Sequence, residues 1–204
     1  MALTAQSLLS DLDASLPQVT DTWRSGVLHR ITELFVSGAE SYSDEQLALF
    51  DEVIGRLIKK MDRGRLVELS NALAAAGNAP AKVLATLAHH ADPAVYGPVI
   101  ERAKALPDAD LVEIADKDRI DPGLLARIAA RGELSEAVTE VLLKRGNTAV
   151  RRKVLDNPKA RVSEMGFARV VSAINGDKTL AATIAARAEL PAELRPFVDA
   201  ALAQ

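Results

Sequence analysis

Four short stretches, Asp92-Pro-Ala-Val95 with Val99, Asp121-Pro-Gly-Leu124 with Ile128, Asn147-Thr-Ala-Val150 with Val154, and Asp177-Lys-Thr-Leu180 with Ile184, repeat one design. In each, an Asp or Asn is followed by a branched apolar residue at the third position, and by another one helical turn later. The chemistry is that of a helix start. An Asx side-chain oxygen accepts from the free amides of the first turn, Pro93 and Pro122 stand where no amide is needed, and the i,i+4 apolar pair faces a neighbour.

A longer apolar segment precedes each stretch. PAKVLATLAHH (80–90), DADLVEIADKD (108–118), SEAVTEVLLKR (135–145), SEMGFARVVSA (163–173) and PAELRPFVDAA (191–201) each predict a helix, and their starts lie 27 or 28 residues apart. A two-helix unit of this size cannot bury its apolar face alone, so successive units must stack. The expected fold is all-α: a right-handed α-solenoid of HEAT-like two-helix repeats with a period of about 28 residues. Period-two alternation, the mark of half-buried strands, is absent.

Upstream, Trp23, Val27, Leu28, Ile31, Leu34 and Phe35 follow the three-and-four spacing of one helical stripe, which must cover the first repeat or meet its equivalent in a second chain. Ser43 and Gln46 have the spacing of a capping box, with Tyr42 and Leu47 placed as a hydrophobic staple. Asp62 is placed to cap a helix carrying Leu66, Leu69 and Leu73, which ends at Gly77-Asn-Ala-Pro80; that Pro suits the first turn of the next helix. The expected organisation is a flexible tail over 1–19, a helical cap and degenerate first repeat over 20–79, and four helix-pair repeats plus a C-terminal capping helix over 80–204.

The composition agrees with packed helices. The chain has 204 residues, 49% apolar and 26% charged, so wholesale disorder is excluded. Its 36 alanines against seven aromatics suit closely approaching helices. The absence of cysteine excludes disulfides, thiolate catalysis, zinc fingers and iron-sulfur clusters. Asp11 and Asp13 interrupt the N-terminus before an apolar run develops, and no stretch approaches the roughly 18 apolar residues of a membrane span, so a cytoplasmic location is expected. A net charge of -3 gives no global electrostatic reason to bind nucleic acid or anionic lipid.

RITELFVSGAESYSDEQLALFDEVIGRLI (30–58), RLVELSNALAAAGNAPAKVLATLAHHADPAVYGPVIERAKALPDADLVEIA (65–115) and ELSEAVTEVLLKRGNTAVRRKVLDNPKARVSEMGFARVV (133–171) resemble the uncharacterised bacterial domain of unknown function numbered 2336. The resemblance covers about 23–202. It implies a HEAT-like helical repeat fold with no established activity, and carries no catalytic residue. Asn147-Thr-Ala-Val150-Arg151 with Val154 and Asn157-Pro158 is also similar to units of HEAT and leucine-rich-variant repeats; Tyr96, Leu125 and Ala181 hold the place of that Arg elsewhere.

Few residues suggest chemistry. His29 and Glu33 have the spacing of an ordinary helix-surface pair, and His89, His90 and Asp92 sit at a helix end, where imidazole suits the last carbonyls. Asp116-Lys-Asp118-Arg-Ile-Asp121 resembles the opening of a calcium loop but lacks its closing Glu. Gly176-Asp-Lys-Thr179 lacks the strand and glycines of a phosphate loop. The one local charge anomaly is 144–161, with seven cations against Asp156 alone. Arg145, Arg152, Lys153, Lys159 and Arg161 are therefore the candidate binding residues, while Arg151 is read as structural. No reaction, cofactor or metal is assigned. The expected function is a non-catalytic helical-repeat scaffold or adaptor binding another protein in a bacterial cytoplasm, as a monomer or homodimer. The alternative is a nucleic-acid-binding HEAT-like protein, of the DNA-glycosylase kind, acting through 144–161.

Overall fold

Residues 14–15, 18, 20–117 and 122–203 are described by a computed structural model. The expected tail over 1–19 lies almost wholly outside the described residues, and so does the Asp121 cap. Among the described residues there are twelve α-helices and no strand; an isolated bridge joins Leu134 to Ala160. No helix among them is long and apolar enough to cross a membrane. The chain divides into two compact units, Met1–Pro107 and Asp108–Gln204.

The first unit contains α1 (Asp21–Gly38), α2 (Asp44–Leu57), α3 (Arg63–Ala75), α4 (Ala81–Ala88) and α5 (Pro93–Arg102). Helix α1 packs on α2 and α3, α2 on α4, and α3 on α5, which makes two layers, α1–α3–α5 and α2–α4. The caps are those the sequence predicts. Ser43 and Gln46 close a capping box at α2, and Asp62 accepts the Arg65 amide at 3.1 Å at α3. Helix α4 differs: Pro80 takes the N-cap position and has no side-chain oxygen, so Asp51 reaches across from α2 to accept the amides of Lys82 and Val83 at 3.2 and 2.9 Å.

The apolar stripe of α1 splits in two. At 100° per residue, Trp23, Val27 and Leu34 fall about a quarter-turn from Leu28 and Phe35. Leu28 and Phe35 are buried, whereas Trp23 and Leu34 are exposed. Phe35 joins Tyr42 and Phe50 in an aromatic cluster with ring centroids 4.9–5.8 Å apart.

The second unit contains α6 (Asp108–Asp116), α7 (Pro122–Ile128), α8 (Glu136–Arg145), α9 (Thr148–Asp156), α10 (Glu164–Ser172), α11 (Lys178–Ala185) and α12 (Arg195–Ala203). Like helices stack on like: α6 on α8 and α8 on α10 in one layer, α7 on α9 and α9 on α11 in the other. Asn147 and Asp177 cap α9 and α11 through the amides of Val150 and Leu180, and the apolar pairs Val150/Val154 and Leu180/Ile184 are buried. Gly176, at φ +81°, lets the chain turn into the Asp177 cap, so this segment is a helix-capping turn. The helix predicted from Pro191 begins as a 3-10 turn, Ala192–Leu194, and becomes α-helical only at Arg195, because Pro196 has no amide to offer an earlier carbonyl. Helix α12 packs on α11.

Candidate functional site

The basic stretch runs from the end of α8 through α9 and its following turn. Most of its cations are turned to neighbouring helices. Lys144 Nζ lies 3.5 Å from the Asp116 carboxylate and Arg145 Nε 3.8 Å, and the Arg145 guanidinium also donates to the Lys117 carbonyl. Arg151 Nε donates to the Leu143 carbonyl at 3.1 Å, a structural partner, but a backbone one within its own helix pair rather than an acid of a neighbouring unit. Arg152 donates to Asp177 at 3.2 Å. Lys153 Nζ reaches the Ala126 carbonyl at 3.4 Å, and Lys159 Nζ the Glu133 carboxylate at 3.0 Å. The sequence reading treats Arg152 as freer than Arg151; the fold instead brings Asp177, the cap of α11, within its reach.

Arg161 is different. Its amide donates to the Leu134 carbonyl at 3.0 Å, and its carbonyl accepts from the buried Thr139 hydroxyl, while its side chain stays exposed. The backbone is thus pinned on both sides and the guanidinium faces water. Lys159 is also accessible, since both members of its ion pair are largely exposed and such pairs contribute little.

Sequence reading missed a second set of polar residues, which stand at a constant offset from the Asx-led helices. Three residues after the second apolar residue of each Asx-led helix stand Arg102, Arg131, Asn157 and Arg187. Arg102 donates to Asn71 at 2.8 Å, and Asn157 Nδ2 donates to the Arg131 carbonyl at 2.9 Å. Arg187 is buried and donates to the carbonyls of Leu155, Asn157 and Ala160 at 3.1, 2.6 and 2.7 Å. Burial pulls the Arg131 guanidinium below its usual value, and the Asp108 charge offsets part of that shift. The signal was available, since the offset from Val99, Ile128, Val154 and Ile184 never changes. Three of these four positions are arginine, whereas only Arg151 follows the first apolar position.

His29 and His90 serve local structure. His29 and Glu33 form an exposed i,i+4 pair at 3.4 Å, and His90 Nδ1 accepts the Asp92 amide at 3.0 Å. Asp92 accepts the Ala94 amide at 2.8 Å and bonds Arg63 from α3. The Arg63 hydrogen bond, followed by the Ala94 amide, holds the Asp92 carboxyl below its ordinary 3.8. A depressed folded value means that this stabilisation is complete above pH 3.8 and is lost as pH falls through the folded value. Asp92→Asn keeps an acceptor for Ala94 but loses the charge. The stability gap between the two proteins, followed by urea unfolding, should be small but present at neutral pH and close on acidification; a gap independent of pH would remove the Arg63 contribution. In the calcium-like stretch, Asp116 pairs with Lys144, and residues 118–121 lie outside the described ones.

Residues 95–196, half of the chain, match the model of the family described as "Uncharacterised protein conserved in bacteria (DUF2336)". The chain belongs to this family. The family match runs from Val95 in α5 to Pro196 at the start of α12, so it takes in the basic stretch, Arg187 and most of the second unit. The earlier part of the resemblance, over 23–94, precedes it. No curated protein and no solved structure matches the chain.

Proposed function

We propose that this family member is a non-catalytic helical-repeat scaffold of the bacterial cytoplasm, its second unit a short α-solenoid of HEAT-like repeats that holds an acidic segment of a partner protein. Support for the repeat comes from ties between neighbouring units of Asp108–Gln204: Lys144 to Asp116, Lys159 to Glu133, Arg169 to Glu140 and Arg187 to Asn157 join residues 26–30 positions apart. Stacked repeats of this kind present an extended surface suited to macromolecular partners. The observation that carries the binding reading is Arg161, whose backbone is fixed at both polar groups while its guanidinium is exposed. The fixed backbone sets the point from which the side chain reaches, and a charge-assisted hydrogen bond to a docked carboxylate offsets the rotamer freedom that the side chain gives up. Lys153, Lys159, Arg145 and Arg152 belong to the same basic stretch, with the charges of Arg145 and Arg152 partly met by Asp116 and Asp177 within the fold.

Charge reversal separates the roles. Arg161→Glu with Lys159→Glu should leave the melting temperature almost unchanged, as surface changes usually do, while abolishing capture of the acidic partner from a bacterial lysate. Arg152→Glu should lower the melting temperature, because a carboxylate there faces Asp177. Capture by the double variant equal to that of the unchanged protein would overturn this surface. If the captured polyanion were duplex DNA, affinity would fall steeply with salt and depend little on sequence, which would favour the nucleic-acid alternative.

A further inference from the structure

Of the five asparagines in the chain, only Asn175 is followed by glycine. Asn175-Gly176 makes the turn between α10 and α11. Asn175 has φ 42° and Gly176 φ 81°, and the Asp177 amide donates to the Ile174 carbonyl at 2.7 Å, which is the type I′ arrangement that this pair favours. Both residues are exposed, and neither the Asn175 carboxamide nor the Gly176 amide has a hydrogen-bond partner among the described residues.

The other four are held or shielded. Asn71 donates to the Val67 carbonyl and accepts from Arg102, and Asn147 accepts the Val150 amide. Asn157 precedes Pro158, which has no amide proton to lose, and Asn78 precedes the buried Ala79, whose methyl crowds its nitrogen.

We propose that Asn175 is a site of spontaneous deamidation and isoaspartate formation, and that the isoaspartate product unties the start of α11. Asparagine is among the thermolabile residues, and a glycine nitrogen carries no neighbouring side chain to block its approach to a carboxamide. The Gly176 nitrogen gives its proton to a solvent base and bonds to Asn175 Cγ. The side-chain nitrogen takes a proton from water and leaves as ammonia, which closes a five-membered imide. Water then opens the ring. Cleavage of the new N–Cγ bond leaves an aspartate, whereas cleavage of the original peptide bond leaves an isoaspartate whose main chain runs through the side-chain methylene. Overall, one water is consumed and one ammonia released.

In a type I′ turn the Gly176 nitrogen lies across the Asn175 Cα–C bond from Cβ, so attack requires rotation about that bond. The rotation gives up one hydrogen bond, Asp177 to Ile174, and releases Asn175 from a left-handed conformation that L residues seldom adopt. The product then acts on the next residue. Asp177 accepts the Leu180 amide at 2.9 Å and Arg152 at 3.2 Å. The extra methylene of an isoaspartate lengthens the main chain inside this turn, and Asp177 leaves both partners; the aspartate product adds a charge without changing the chain length.

Ageing the full chain at mildly alkaline pH and physiological temperature tests this. Trypsin releases 170–178, in which a carboxyl should replace the carboxamide progressively, with isoaspartate among the products; 66–82 and 146–151, which carry Asn71, Asn78 and Asn147, should stay unchanged over the same time. Asn175→Gly, which suits the positive φ and has no carboxamide, should keep the circular dichroism spectrum and give no new species in 170–178. The aged, charge-shifted fraction should melt below the fresh protein, and Asn175→Asp, which has the charge without the added methylene, should melt between them. The proposal would be overturned by an intact 170–178 in the folded chain under conditions where a synthetic peptide of that sequence reacts, by equally fast modification of another asparagine, or by an aged fraction that melts with the fresh protein.

Discussion

Arg187→Ala should cost the Asp108–Gln204 unit about 3–5 kcal/mol, a large share of the stability of an ordinary domain. The Arg187 side chain is 7% exposed, and its guanidinium forks to three carbonyls at and just beyond the end of α9. Truncation takes the charged donor from all three oxygens, of which Asn157 keeps the Ala160 amide at 3.1 Å, and removes the packing of the side-chain stem. Arg187→Lys should recover only part of the loss, since one ammonium cannot reproduce a planar fork. Urea unfolding measures both, with Arg195→Ala on the exposed start of α12 as a control expected within about 0.5 kcal/mol. Equal stability of the Arg187→Ala protein and the unchanged chain would show that the clamp contributes nothing.

Gly146→Ala is the second large effect. Gly146 joins α8 to α9 at φ -73°, ψ 149°, which any residue adopts, so backbone freedom is not the issue. Space is. A Cβ there would lie 2.5 Å from the Leu142 carbonyl oxygen and 2.5 Å from Val150 Cγ1, with neither a flexible side-chain end. Relief requires α9 to shift away from α8, at a cost of about 1–3 kcal/mol or more. Gly132→Ala, where a Cβ meets nothing within 4 Å, should be close to neutral. Thermal melts of the two variants compare them directly, and equal midpoints would contradict the packing at Gly146.

The sequence alone determined the helices of this protein and most of their starts. Capping is local chemistry: Ser43, Asp62, Asp92, Asn147, Ser163 and Asp177 each bond an amide two or three residues away, so spacing suffices to find them. The 27- or 28-residue spacing of the helix starts was legible for the same reason, because it follows from regularly placed caps and apolar pairs. Membership of the family, too, is carried by the order of residues over 95–196.

Only the tertiary structure decided where the polar side chains go. Asp51 looks like one more exposed acid of α2, yet it caps α4 from 31 positions away. Arg152 and Arg161 look alike in a basic run, but Asp177 lies within reach of the first, while the second keeps its side chain in water. Long side chains reach whichever acid the packing of helices brings near, and linear spacing does not specify that choice.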